Sequence, residues 1–292
     1  MNLAQNGAGT VAIKINGNDT DVTLGAVTAT GTGAKTLAVF AGSNGNGDRE
    51  SVTFSGAISD ASGSPLSLEV NFQTQTDSQS YVNLSGVSTF TGPLTLVSTS
   101  AGSSAYLTLG GVRTRSSETT GTGQLGGGNY AGAISLGGST ILYHNSTANQ
   151  TFSGVISGAG TLAQHGTGIL TLSGTNTHTG SLNVELGTLV AASAGALGTT
   201  GTATVVTSGA TLDVQANIGN EPVSIAGNGV GGQGALVAST GTGALGGRIT
   251  LTAASQIGGA GTLDVNGIVT ANTFALTKVG AGTTNLNATS TL

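Results

Sequence analysis

The segment Leu162-Ala163-Gln164-His165-Gly166-Thr167-Gly168-Ile169-Leu170-Thr171-Leu172-Ser173-Gly174-Thr175-Asn176-Thr177-His178-Thr179-Gly180 decides the fold. Apolar residues alternate with Thr, Ser or Asn at a period of two, as in half-buried strands, and Gly breaks the pattern every few residues. The same alternation recurs in Leu182-Asn183-Val184, Leu212-Asp213-Val214, Val223-Ser224-Ile225 and Leu263-Asp264-Val265. Helical periodicity is absent. Short strands punctuated at about 8 to 12 residue intervals fit a sandwich, a barrel or a β-solenoid, and internal repeats choose among the three.

Three repeats are visible. Leu-x-x-x-Gly-x-Gly occurs at Leu3 to Gly9, Leu162 to Gly168 and Leu276 to Gly282, each time leading into a short strand. Phe54-Ser55-Gly56-Ala57-Ile58-Ser59 matches Phe152-Ser153-Gly154-Val155-Ile156-Ser157. Leu84-Ser85-Gly86-Val87-Ser88-Thr89-Phe90-Thr91-Gly92 matches Leu172 to Gly180. The second and third elements keep their order, but Phe54 and Gly86 stand further apart along the chain than their counterparts Phe152 and Gly174. A loop inserted into one coil of a solenoid would produce that difference.

From Phe152 to Val214 the run Phe152-Ser153-Gly154-Val155-Ile156-Ser157-Gly158-Ala159-Gly160-Thr161-Leu162, followed by Gly166 to Gly180, Gly187-Thr188-Leu189-Val190 and Ala194-Gly195-Ala196-Leu197-Gly198, resembles the autotransporter-associated β-strand repeat. A shortened copy covers Ile257 to Leu263 and Leu276 to Asn287, and a degenerate one covers Phe54 to Leu96; His178 stands where the family carries Tyr. The resemblance implies an all-β, right-handed parallel β-helix in the passenger of a Gram-negative surface protein. In that family such repeats are thought to aid passage through the outer membrane. With coils of roughly 20 to 25 residues the expectation is one elongated domain over residues 1–292, degenerate over 1–140 and more regular over 141–292, with about 12 to 14 coils and a length of roughly 55 to 70 Å.

Composition agrees with stacking. Of 292 residues, 52 are Gly, 7% are charged and 3% are aromatic, against about 25% charged in an average domain. In a solenoid an identical position recurs every coil, so like charges would stand roughly 4.8 Å apart and repel by about 1 kcal/mol even in water. Thr, Ser and Asn stack without that cost. A hydrophobic fraction of 37% is too high for a solvated linker, and few aromatics leave Leu, Val, Ile and Ala to fill a thin core. The formal charge of -5, with seven scattered cations, disfavours nucleic acid or anionic lipid as a partner. With no cysteine there is no disulfide and no thiolate metal site. No apolar run is long enough to span a membrane, and Met1 to Gly7 has neither a basic nor an apolar signal region. The expectation is an extracellular or outer-surface protein of a Gram-negative-type bacterium, whose targeting segment has been removed or lies outside these residues and whose translocator barrel is not among them. Both ends fall in the same repeat phase, so the partner expected is a flanking repeat or a further copy docking head to tail into a fibre.

Candidate chemical sites read mostly as structure. Gly-x-Gly-x-x-Gly occurs at Gly121/Gly123/Gly126, Gly227/Gly229/Gly232 and Gly241/Gly243/Gly246, but none opens a helix after a strand. Asp60-Ala61-Ser62-Gly63-Ser64-Pro65 faintly resembles a serine-protease nucleophile motif interrupted by Ala61, and reads as a turn. Asn18-Asp19-Thr20-Asp21 and Gly45-Asn46-Gly47-Asp48-Arg49-Glu50 gather oxygen ligands of the kind Ca2+ takes, and read as polar turns. Asp19/Asp21 and Asp48/Glu50 are spaced to share a strand face, the minimum a polysaccharide-cleaving β-helix would need. His144, His165 and His178 have no acidic neighbour at metal-ligand spacing and read as surface or ladder residues. Five sequons, at Asn18, Asn83, Asn145, Asn149 and Asn287, arise in a chain rich in Asn, Ser and Thr. Thr-x-Thr pairs such as Thr175/Thr177 and Thr250/Thr252 are unevenly spaced, against a flat ice-binding lattice. No catalytic residue, cofactor or metal ligand is assigned, the chain is read as a non-enzymatic, adhesive or structural segment, and no residue identifies a glycan or other ligand.

Overall fold

The computed structural model describes residues 2–4, 8–17, 21–43, 49–60, 64–73, 79–98, 104–114 and 116–289. Among them the only helical elements are two single 3-10 turns, Gly126–Gly128 and Val230–Gly232, and the rest is short strands and turns. The chain is an all-β parallel β-helix that divides into two compact units, Met1–Thr161 and Leu162–Leu292.

In the first unit six parallel strands stack on one face: Gly9–Gly17, Lys35–Ser43, Leu66–Gln73, Leu94–Ser98, Ile134–Leu136 and Ile156–Gly158. Their register places Leu37, Leu68, Leu94, Ile134 and Ile156 directly over one another. None of these five is more than 1% exposed. A second face carries Asp21–Leu24, Arg49–Phe54, Gln79–Leu84, Ser104–Leu109 and Thr140–His144, with Val52, Val82, Leu107 and Leu142 as its buried column. A third, shorter face pairs Asn2–Ala4, Val27–Thr30 and Ile58–Asp60.

The second unit begins with shorter coils. Leu162 pairs with Leu182 and Ile169 with Thr188, whereas Val223 pairs with Ile249 across a longer step. One column runs Leu170, Leu189, Leu212, Leu236 and Ile257. The residues expected inside (Leu162, Leu170, Leu172, Leu182, Val184, Leu189, Leu212 and Val214) are all buried. Each such side chain contributes roughly 1.5 to 3 kcal/mol over its exposed state.

Part of the difference in spacing between the two copies lies in strand length: Leu66–Gln73 has eight residues and Gln79–Leu84 six, against four each in Thr161–Gln164 and Ile169–Leu172, while residues 61–63 and 74–78 of the connections lie outside the described residues. A clear insertion occurs elsewhere. Leu94 pairs with Ile134 across the longest coil step on its face, and the excess includes an antiparallel hairpin of Val112–Arg113 with Glu118–Thr119.

The repeats now have physical meanings. In Phe-Ser-Gly and Leu-Ser-Gly the serine hydroxyl donates to a carbonyl of the coil before, Ser55 to Leu24 O at 3.0 Å and Ser85 to Phe54 O at 3.2 Å. The glycine lets coils close up at that corner: a Cβ on Gly86 would lie 2.7 Å from the carbonyl carbon and oxygen of Gly56. In Leu-x-x-x-Gly-x-Gly the third residue is a long donor that caps the turn. Gln164 Nε2 donates to Gly166 O at 2.6 Å and Gly168 O at 2.8 Å, and Lys278 Nζ donates to Gly280 O at 2.7 Å. Gln5 of the first copy lies outside the described residues.

Gly86→Ala is expected to cost about 2 to 4 kcal/mol, because the obstructing atoms are backbone and cannot move aside. Gly25→Ala, with nothing within 4 Å of the new Cβ, is the control expected to change stability little. Chemical denaturation of both variants measures the difference, and equal stabilities would contradict the close corner contact.

Candidate functional site

The sheet Arg49–Phe54, Gln79–Leu84, Ser104–Leu109 and Thr140–His144 alternates as strands must, with Val52, Val82, Leu107 and Leu142 inward. The opposite set points outward, with Ser51, Tyr81 and Tyr106 in one register column and Thr53, Asn83, Thr108 and Tyr143 in the next. Outward residues of a solenoid ordinarily face water. Here Ser51, Thr53, Tyr81, Asn83, Thr108 and Tyr143 are all buried and Tyr106 is half-buried.

The cover includes the inserted hairpin. Asn83 clamps it by two bonds, accepting from Arg113 N through Oδ1 at 2.9 Å and donating from Nδ2 to Arg113 O at 2.9 Å. Asn145 reaches its second strand, donating to Glu118 Oε1 at 3.0 Å and Thr119 O at 3.1 Å. The Arg113 guanidinium then lies over two rings, 4.5 Å from the Tyr106 centroid and 4.7 Å from that of Tyr143. Those two rings meet edge to face, at 6.3 Å and 86°, and Tyr81 stacks on Tyr106 at 5.3 Å. Glu118 supplies the counter-charge at 3.6 Å. Burial works against the Arg113 charge, but its bond to Tyr143 and the field of Glu118 outweigh this and hold its pKa above the ordinary value. Three of the four tyrosines in the chain meet here with a guanidinium and a carboxylate. Sequence reasoning misses the cluster because its rings belong to separate coils of unequal length.

Of the residues singled out from sequence, those that the structure describes lie apart. Asn18, Asp19 and Thr20, and Gly45 to Asp48, lie outside the described residues. Asp21 pairs with Ser51 and is exposed, whereas Glu50, one position along, is fully buried on the opposite side of the sheet. No shared carboxylate face forms between them. Residues 61–63 of the turn 60–65 lie outside the described residues, while Asp60 Oδ2 accepts from Thr91 N at 3.0 Å and Thr91 Oγ1 at 2.6 Å, and Ser64 Oγ donates to Gly31 O. Among the described residues no group of three or more His, Asp and Glu side chains is placed to hold a metal ion. Of the sequon asparagines, Asn83 and Asn145 are fully buried and closed to modification in the folded state.

Of the surface and ladder alternatives for the histidines, His144 takes the ladder one, pairing with Leu109 at the end of its strand. His165 finds a carboxylate across the coil step, Nδ1 to Glu185 Oε2 at 2.9 Å. His144 and His178 are buried. Along Leu172, Gly174, Asn176 and His178 every second residue faces inward, as Ser88 and Phe90 do in the matching copy. His178 thus fills an aromatic slot, 1% exposed, and neither ring nitrogen has a hydrogen-bond partner. Desolvation pushes its pKa below the usual value. Glu221 is a second buried ionisable group, 2% exposed, accepting from Thr204 Oγ1 at 2.9 Å. Burial pushes its pKa up to about 7, against the opposing effect of that bond. Thr204 stands in the column of Leu182 and Val223, so Glu221 satisfies a hydroxyl that register forces into the core.

A shallow cleft of about 400 Å3 in the second unit is lined by Gln233, Val237, Ser239, Ala260 and Val279 among others. Behind it the buried Asp213 carboxylate accepts from Ser239 N at 2.9 Å, Ser239 Oγ at 2.6 Å and Gln215 Nε2 at 2.8 Å. Its lone pairs are engaged in holding adjacent coils together. No family model, no curated protein and no solved structure matches the chain.

The two buried groups set opposite pH limbs. Glu221, with its folded pKa raised, lowers stability as pH rises from its ordinary value of 4.5 through about 7. His178, with its folded pKa lowered, lowers stability as pH falls below its ordinary 6.5. Glu221→Gln is expected to stabilise the protein at pH 8, by up to about 3 kcal/mol, and to change little near pH 4. His178→Phe is expected to raise stability by about 1 kcal/mol at neutral pH and by more at pH 5. Thermal melts from pH 4 to 8 test both, and parallel pH profiles for the variants and the parent chain would contradict the assignment.

Proposed function

We propose that this chain is a non-enzymatic structural segment of a bacterial surface protein, a stiff spacer of stacked coils of the autotransporter-passenger kind, positioned outside the cell. The observation that carries the reading is the way coils are joined. Within each unit successive coils share parallel strand pairing, and between the ladders Ser, Thr, Asn and Gln side chains bond to backbone of the neighbouring coil, as in Asn176 Nδ2 to Ala196 O at 2.6 Å and Gln150 Nε2 to Leu125 O at 3.1 Å. Such a column resists bending because each coil is bonded along much of its length to its neighbours. It also suits an exported chain, since its folding needs no disulfide. Asp21 and Glu50 on opposite sides of their sheet weigh against a carbohydrate-cleaving groove at that place.

The same register supports docking of a further coil, from flanking sequence or from a second copy. Leu245, Val265 and Leu286 form one column, in which the first two are fully buried and Leu286 is 40% exposed. In the first unit Val11 and Ile13 are half-buried where Leu37 and Val39, next in their columns, are fully buried. These edges invite strand addition. Light scattering of the purified chain at concentrations up to the high micromolar range is expected to show concentration-dependent head-to-tail assembly. A monodisperse monomer would overturn assembly between copies, and release of reducing ends from a polysaccharide panel would overturn the non-enzymatic reading.

A further inference from the structure

The aromatic face beneath the inserted hairpin has the make-up of a cation-recognition site, and in this structure the chain occupies it with its own arginine. We propose that Tyr81, Tyr106, Tyr143 and Glu118 form a binding site for a planar guanidinium, as presented by the arginine side chain of a partner polypeptide, with Arg113 as a tethered occupant that the external group displaces.

Two perpendicular tyrosine rings offer their faces to one cation at 4.5 and 4.7 Å, within the distance at which the ring quadrupole attracts it. A carboxylate at 3.6 Å supplies the formal charge. A guanidinium suits this setting better than an ammonium, because it is planar, weakly hydrated and stacks on aromatic faces. An independent observation points the same way. The Thr108 hydroxyl, fully buried in the outward column beside Asn83 and Tyr143, has no hydrogen-bond partner, and neither has Asn145 Oδ1. Arg113 Nη1 is likewise buried without a hydrogen-bond partner, so the tethered guanidinium leaves polar groups of its own cage unengaged, which an untethered guanidinium is free to turn and meet.

The cover is built to come away. Its strand pairing amounts to Val112 with Thr119 and Arg113 with Glu118, and a two-stranded hairpin of that size is not stable alone. Its hold on the sheet runs through Asn83, Asn145, the Arg113 side chain and a long bond from Ser51 Oγ to Arg113 O at 3.5 Å. A tether of this length presents Arg113 at an effective concentration on the order of millimolar or above. External guanidinium must therefore exceed that level to compete with the parent chain, and binds more readily once Arg113 is removed.

The test uses the full chain carrying Arg113→Ala, titrated with N-acetyl-arginine amide and separately with N-acetyl-lysine amide at matched ionic strength, read by tyrosine fluorescence. Saturable binding of the arginine compound with a Kd on the order of 1 mM, at least about tenfold tighter than the lysine compound and abolished by adding Tyr106→Ala, is the expected result. A folded Arg113→Ala chain that shows no saturable binding, or binds both compounds equally, overturns the proposal. Should Arg113→Ala not fold, the parent chain decides by hydrogen exchange at the Arg113 and Thr114 amides, which are bonded to Asn83 Oδ1 and Ser117 O. Selective acceleration by tens of millimolar arginine amide over lysine amide supports the site, and identical exchange rates overturn it.

Discussion

In the parallel strands of this protein residues lie against those at the same register position in the next coil, about 4.8 Å away. That proximity governs the rest. A charge would repeat against its like or against a buried column, so 7% charged residues is a consequence of stacking. Apolar residues repeat without cost and form the columns Leu37–Leu68–Leu94 and Leu170–Leu189–Leu212. Serine and asparagine repeat because each can donate to the coil beside it. Where the backbone turns, coils approach more closely still, and at Gly86 only a residue without a Cβ fits.

The long polar residues of the core follow from the same geometry. A tight turn leaves carbonyls pointing inward with no strand to pair them, and an unpaired buried carbonyl costs about 1 to 3 kcal/mol. Gln164 answers this at a buried turn and Lys35 at a corner, donating to Thr32 O at 3.0 Å and Gly33 O at 3.1 Å, while Lys278 makes the equivalent bond at an exposed turn. His178 and Glu221 are the exceptions that remain under-satisfied, and they make the second unit sensitive to pH from both sides. The hairpin at Val112–Thr119 departs from the coil altogether. It buries an outward face that the repeat leaves open, and it concentrates aromatic and charged groups in a chain that has few of either.

Much of this is legible in the sequence. Period-two alternation identifies the strands, and the internal repeats separate a solenoid from a sandwich. The thin core is legible residue by residue, from Leu162 to Val214. The difference between the two copies is visible as a number but not as a cause: strands lengthened on two faces and a loop added at one corner give the same count. The Tyr106–Arg113–Tyr143 cluster leaves no local signal, because only the register between coils of unequal length brings it together. The burial of His178 is hidden for another reason. The corner after Leu172 keeps two-residue alternation beyond the strand, so His178 turns inward where a loop residue would face water.

The central claim is in-register parallel stacking, and the absence of native cysteine allows a direct test. Asn183 pairs with Val205 in adjacent coils, on the outward face of the second unit. Mild oxidation of the double variant Asn183→Cys/Val205→Cys is expected to give an intramolecular disulfide in high yield, since paired Cα atoms at strand spacing fall within disulfide reach. The off-register variant Asn183→Cys/Thr207→Cys, two positions further along the strand direction, is expected to remain reduced under the same conditions. Efficient bridging of the off-register pair with none of the in-register pair would contradict the account.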